Sequence, residues 1–204
     1  MSELAKCGAI AYIARLLSFV PLADAVPVAE RLVAKFGNVD AAVGATVAEL
    51  MAIDGMTEPA AMLLRVIGAL ASRRMTEDFR LGVEHTEEEI MDYLIGLYIG
   101  SSQETVYMLI FDKNRRVTAV EHMGEGTVGT SEVYPRKLLE IAVKNKAASV
   151  VLAHNHPRGG ATASDDDITA TRQLSSLFFS AGIELAAHYV VAGRDIEPVD
   201  INEK

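Results

Sequence analysis

The chain has no tryptophan and a single cysteine, Cys7, among its 204 residues. One thiol excludes an internal disulfide and any zinc cluster built on cysteine. Long apolar runs are missing too: no stretch of 18 or more such residues occurs, so no spanning helix is expected. Met1-Ser2-Glu3-Leu4-Ala5-Lys6 has no basic segment leading into an apolar one, which argues against a secretory signal. The expected location is cytoplasmic and the expected membrane partner is none. Positive charge is scarce, with 19 Lys and Arg against 28 Asp and Glu, and the net charge of -9 disfavours a general electrostatic grip on nucleic-acid phosphates. No Walker loop, dinucleotide fingerprint or nucleophile elbow is found. Half of the residues are apolar. That suffices for one medium domain and one small one.

Residues 1–80 read as a small helical domain. Leu4, Ile10, Ile13, Leu16 and Leu17 recur at helical spacing up to Pro21, and Val28, Leu32, Val33 and Phe36 do so up to Gly37-Asn38. Val47, Leu50 and Met51 predict a third helix and Ala61 to Arg74 a fourth, joined by Ile53-Asp54-Gly55-Met56-Thr57-Glu58-Pro59-Ala60. Met75 to His85 shows no periodicity and reads as the linker. In residues 81–204, Thr86 with Glu89 forms a capping box that opens a helix to about Gly100. Strands are expected at Glu104 to Phe111 and Arg116 to Met123, then a glycine-rich loop over Gly124 to Thr130. A helix from Arg136 to Lys146, with Pro135 in its first turn, precedes an apolar strand beginning near Ala148. A helix capped by Ser164 runs to Ala181, and the strand Ile183 to Val191 and a short last strand follow. This order predicts an α/β sandwich around a mixed sheet.

The chemistry concentrates where Ala148-Ser149-Val150-Val151-Leu152 runs into Ala153-His154-Asn155-His156-Pro157. Residues two apart on a strand share a face, so both imidazoles converge if the strand persists. Pro157 ends the ladder for want of an N–H. After the glycines, Ser164 is placed as an N-cap with Asp165, Asp166 and Asp167 in the first turn, where the helix dipole favours carboxylates. Asp165 and Asp166 are ordinary helix-start residues. Asp167, at the third helical position, completes a set of two imidazoles and one carboxylate. Three protein ligands with an open fourth position characterise catalytic zinc. His188, in Ala186-Ala187-His188-Tyr189, is a candidate to stand behind a ligand but reads first as structural, and His85 and His122 read as solvated. Arg136 is read as a helix-start residue able to steer a substrate carboxylate.

His-x-His-Pro, six residues, Ser, two residues, Asp resembles the JAMM motif of the MPN/JAB metalloproteases. His154-Asn155-His156-Pro157 with Gly159, and Ser131-Glu132-Val133-Tyr134-Pro135-Arg136 upstream, are similar to the RadC-like branch of that superfamily. The resemblance covers about residues 80 to 200. It implies the MPN (JAB1/MPN-like, cytidine-deaminase-like) fold, a mixed sheet flanked by helices. It also implies one Zn2+ per chain on His154, His156 and Asp167, and cleavage of a peptide or isopeptide amide by metal-activated water. Its general base is a glutamate just before the first strand of the domain, a place Glu104 takes here, with Glu121 and Glu125 as runners-up. Its motif serine, whose hydroxyl steadies the tetrahedral oxyanion, corresponds to Ser164. One departure is Arg158, where the family usually has Ser.

RadC-like proteins also commonly carry an N-terminal helix-hairpin-helix, which the segment around Ile53 to Ala60 resembles. Thr57 stands where that motif has its second glycine and Glu58 follows, so a packing or recruiting role is expected over DNA binding. Three functions remain: a zinc metallopeptidase acting on a peptide or protein, a DNA-associated repair or recombination accessory, and a non-catalytic MPN scaffold. A cupin or binuclear phosphoesterase is disfavoured because neither ligand spacing continues downstream.

Overall fold

The computed structural model describes residues 3–125, 133–157 and 159–200. Its elements are α1 (Glu3–Leu17), α2 (Ala25–Phe36), α3 (Val39–Gly44), α4 (Val47–Met51), α5 (Glu58–Thr76), α6 (Glu87–Tyr98), β1 (Thr105–Phe111), β2 (Val117–Glu125), α7 (Val133–Lys144), β3 (Ser149–Asn155), α8 (Asp165–Ser180), β4 (Glu184–Ala192) and β5 (Asp195–Pro198). Two compact units result, one of Met1–Glu77 with Gly96–Ser102, the other of Asp78–Ile95 with Gln103–Lys204.

In the helical unit, Ile13, Leu17, Leu32, Leu50 and Leu64 are fully buried around one core. Burying such a side chain is worth about 1.5–3 kcal/mol, which is why the spacing of these residues carries the helices. Asp24 caps α2 through Val26 N, and Gly37 ends it at φ 86°, a left-handed conformation that glycine adopts without strain. The helix α3 was not expected. Asn38 does not merely follow a stop but caps α3 by accepting from Ala41 N at 2.7 Å. In the hairpin, Gly55 alone takes positive φ (83°), while Thr57 sits at φ -114° as the N-cap of α5. Glycine is therefore not required at 57. Thr57 Oγ1 donates to Pro21 O at 3.1 Å, and Arg31 pairs with Asp54 across 3.3 Å.

The second unit is built on a five-stranded mixed sheet in the order β2-β1-β3-β4-β5. Only β3 and β4 are parallel, and α8 makes their crossover. One face carries Val106, Met108, Ile110, Val150 and Leu152 against Leu138 and Ala142 of α7 and Ala170, Leu174 and Phe178 of α8. Tyr189, on the neighbouring register position of β4, donates from Oη to Glu87 Oε1 at 2.8 Å. The capping boxes of α6 and α8 form as the sequence pattern requires.

The stretch before Thr86 contains the division between the units, at Glu77 and Asp78, and its later part pairs with β2: Gly82 N donates to Val117 O, Val117 N donates to Val83 O, and Glu84 bridges to Arg116. This short pairing covers the start of β2, whose outer edge would otherwise be open at that point. One expectation needs correction here: His85 is not solvated. Its side chain is nearly buried, stacked on Phe79 with centroids 4.0 Å apart, and its Nε2 lies 2.9 Å from Arg80 O. Phe79 in turn stacks on Tyr93 at 3.7 Å. Among the described residues no helix is long and apolar enough to cross a membrane.

Candidate metal centre

The parallel pair β3–α8–β4 determines where the site forms. Strand β3 continues through Asn155, so His154 keeps the inward phase of Val150 and Leu152. His156 follows just past the strand end, its N–H bonded to Val191 O at 2.8 Å. Helix α8 starts nearby because Ser164 caps it: Asp167 N donates to Ser164 Oγ at 3.2 Å, and Ser164 N donates to Asp167 Oδ2 at 2.8 Å. The cap thus turns the Asp167 side chain back over the helix start. Ligand sites favour the carboxyl ends of parallel strands at a helix N-terminus for this reason.

Three donor atoms meet there. His154 Nε2 lies 3.1 Å from His156 Nε2 and 3.2 Å from Asp167 Oδ1, and His156 Nε2 lies 3.5 Å from Asp167 Oδ2. Tetrahedral ligands at zinc distances stand about 3.3 Å from one another. The spacing therefore fits a cation between them. His154 and Asp167 are buried and His156 is partly so.

Proton bookkeeping supports the same fit. His156 Nδ1 faces Gly160 O at 3.0 Å. A carbonyl only accepts, so Nδ1 carries a proton, and the tautomer with that proton alone presents a lone pair at Nε2. Asp167 would be raised by burial alone. Its contact with His154 and the hydrogen bonds from Ser164 hold it instead well below the usual carboxylate range. It is a carboxylate at neutral pH.

Around these atoms the polar residues are not scattered. Six buried polar side chains occur among the described residues: Thr105, His154, Asn155, Asp167, Thr171 and His188. Asn155 points away from the ligands. Its Oδ1 accepts from Thr105 N at 2.8 Å and Thr105 Oγ1 at 3.1 Å, and its Nδ2 donates to Gln103 O at 3.1 Å. The other four are joined to one another. His188 Nε2 lies 2.9 Å from His154 Nδ1, His188 Nδ1 lies 2.6 Å from Thr171 Oγ1, and Thr171 Oγ1 donates to Asp167 O at 2.6 Å. Burial and the neighbouring His154 push His188 down to about 3, with Asp167 opposing, so this ring is neutral at ordinary pH. Unpaired, such groups would each cost several kcal/mol on burial. Paired, they form one network.

His188 is thus a direct partner of a ligand, a role that the sequence alone ranks behind a structural one. The sequence ranks that role second because 34 residues separate it from His154. One signal was present: a lone histidine on the inward phase of the otherwise apolar β4 needs a polar partner.

The remaining candidates are less connected. Glu104 is half-buried and forms no hydrogen bond or ion pair among the described residues. The structure does not bring it into contact with the three ligands. Val106 pairs with His154 in the antiparallel register, and continuing that register by two residues sets Glu104 level with His156. Glu121 lies on β2 opposite Met108, and Glu125 opposite Thr105. Ser164 Oγ donates its one proton to Asp167 Oδ2 at 2.6 Å. His122 is exposed and rests tilted against Tyr107. Arg136 is exposed on α7. Arg158, Ser131 and Glu132 lie outside the described residues.

Comparison with known proteins agrees with this geometry. A family model described as RadC-like JAB domain matches residues 84–199. A UPF0758 protein of Herminiimonas arsenicoxydans is 31% identical over 85% of this chain and 78% of its own length. Another of Idiomarina loihiensis is 31% identical over 89% and 80%, and one of Chromobacterium violaceum 33% over 85% and 78%. With the matched segment holding the whole sheet and all three converging side chains, this chain belongs to the RadC-like JAB domain family.

Proposed function

We propose that the chain is a zinc-dependent metallopeptidase or isopeptidase, with His154, His156 and Asp167 holding one Zn2+. The observation that carries the reading is the convergence of two ring nitrogens and a carboxylate oxygen at 3.1–3.5 Å. The Gly160 carbonyl holds a proton on His156 Nδ1, the tautomer that turns the Nε2 lone pair towards the other two ligands. Zinc bound there would supply Lewis-acid activation of a water molecule.

The chain's own groups supply the rest. Glu104, level with His156 and without a competing partner among the described residues, is the carboxylate that takes the proton from the attacking water and returns it to the leaving amine. Asn155 holds the backbone on both sides of it, through Gln103 O and Thr105 N. Ser164 is the hydroxyl for the developing oxyanion. It must first release Asp167 Oδ2, and that oxygen keeps the Ser164 N–H as a partner. The substrate is an extended peptide or a protein tail, and the amide is either main-chain or lysine-linked.

Turnover of a peptide library, with metal content measured alongside, tests the assignment. Zinc-loaded wild type should cleave, and Glu104→Gln should retain the zinc while losing turnover by about 10²-fold or more. Normal hydrolysis by Glu104→Gln would remove Glu104 from the mechanism. Absence of cleavage by fully loaded wild type over a broad library would remove the peptidase reading.

A further inference from the structure

Resting on that reading of the metal centre, we infer that His188 and Thr171 are positioning residues: a one-way hydrogen-bond relay from His154 to the Asp167 backbone that forces the His154 lone pair onto the ion.

The direction of the relay follows from its far end. Asp167 O is a carbonyl and can only accept, so the single proton of Thr171 Oγ1 goes to it, at 2.6 Å. Thr171 must then accept from His188, and the 2.6 Å contact is His188 Nδ1–H donating to Oγ1. The His188 ring is 2% exposed, and no carboxylate is hydrogen-bonded to it among the described residues. Such a ring is neutral. With its proton on Nδ1, its Nε2 is bare. It therefore accepts from His154 Nδ1–H across 2.9 Å. That leaves His154 Nε2 unprotonated, facing His156 Nε2 and Asp167 Oδ1.

The relay also closes a mechanical loop. It starts on a ligand of β3, crosses β4, and ends on the main chain of a ligand of α8. Two ligands from separate elements are thereby tied through four hydrogen-bonded groups. His156 achieves the same tautomer more cheaply, through one carbonyl of the adjacent loop. Histidine ligands of metals generally donate their second N–H to a fixed acceptor. What is particular here is that the acceptor is another histidine, whose own tautomer must be set by Thr171. Thr171 thus acts on the metal through two intermediaries.

Thr171→Val removes the hydroxyl at nearly constant volume, and Thr171→Ser keeps it. Full-length wild type and both variants are titrated with Zn2+ in competition with a chromophoric chelator, and their metal-free melting is followed by circular dichroism. The zinc-loaded forms are examined by long-range proton–nitrogen NMR of the histidine rings. The relay predicts Zn2+ affinity about 10-fold weaker in Thr171→Val, restored in Thr171→Ser. Wild-type spectra should show His188 protonated at Nδ1 only. His188→Gln, whose carbonyl can still accept from His154, should bind zinc more tightly than His188→Leu.

A merely structural Thr171 would lower metal-free melting without weakening zinc in the folded protein, and that result overturns the inference. So does a wild-type His188 protonated at Nε2. Failure of wild type to bind zinc at all would instead overturn the metal reading beneath it.

Discussion

Replacing Asn155 by alanine separates the ligands from the proposed base. The amide makes three hydrogen bonds, at 2.8, 3.1 and 3.1 Å, all to Gln103 and Thr105. Each such bond is worth about 1 kcal/mol net, and withdrawing an acceptor from a buried donor costs about 1–3 kcal/mol. A loss of about 3 kcal/mol is the expected sum. The unit that contains it has roughly 120 residues. With an unfolding entropy of about 2.1 cal/mol/K per residue, the melting temperature of that unit should fall by about 12 °C.

The functional effect should be selective. His154 and His156 keep their own partners, His188 and Gly160 O, so zinc affinity should stay within about threefold of wild type. The chain around Glu104 loses its anchor, and a displacement on the order of 1 Å is enough to cost about 10²-fold in turnover. Zinc titration, thermal melting and peptide turnover on Asn155→Ala read these three quantities separately. If turnover is unchanged in a folded, zinc-loaded variant, the clamp does not place Glu104. If zinc is lost in parallel with turnover, Asn155 serves the ligands and the proposed division of labour is wrong.

Other outcomes follow from single contacts. A Cβ at Gly68 would lie 2.8 Å from Val43 O, so Gly68→Ala should destabilise the helical unit by about 1–3 kcal/mol in chemical denaturation. Unchanged stability would show that α3 yields freely. Burial, followed by the Glu87 hydrogen bond and charge, pushes Tyr189 up to about 12. The unfolded chain then releases its proton first, so stability from this contact is present below pH ~10 and is lost as pH rises from there towards 12. Alkaline melting curves should show that loss, and Tyr189→Phe should remove it. His154→Ala should abolish zinc binding outright because one of three protein ligands is gone, which elemental analysis checks.

Sequence sufficed where the determinants are local. His154, His156 and Asp167 fall within fourteen residues, and their convergence needs only strand phase and a capping box, both of which form. The order of strands and helices was likewise legible from periodicity. The His188–Thr171 relay was not, because it depends on the parallel register that sets Leu152 beside His188. A register shift between Val150 and Val151 intervenes, and nothing in the spacing of residues announces it. The short α3 escaped because six residues with one cap carry too little periodicity. The pairing of Gly82 and Val83 with Val117 escaped because it is a contact between a loop and a strand edge. His85 reads as solvated from sequence because its partners, Phe79 and Glu89, act through stacking and helix-start geometry rather than through an apolar pattern.

The most direct measurement is the stoichiometry and affinity of Zn2+ on the full chain, by calorimetric titration of metal-free protein with elemental analysis of the product. One ion per chain, with binding abolished in both His154→Ala and Asp167→Ala, is the expected result. Binding that is absent, or that survives both substitutions, would contradict a metal centre at these three side chains.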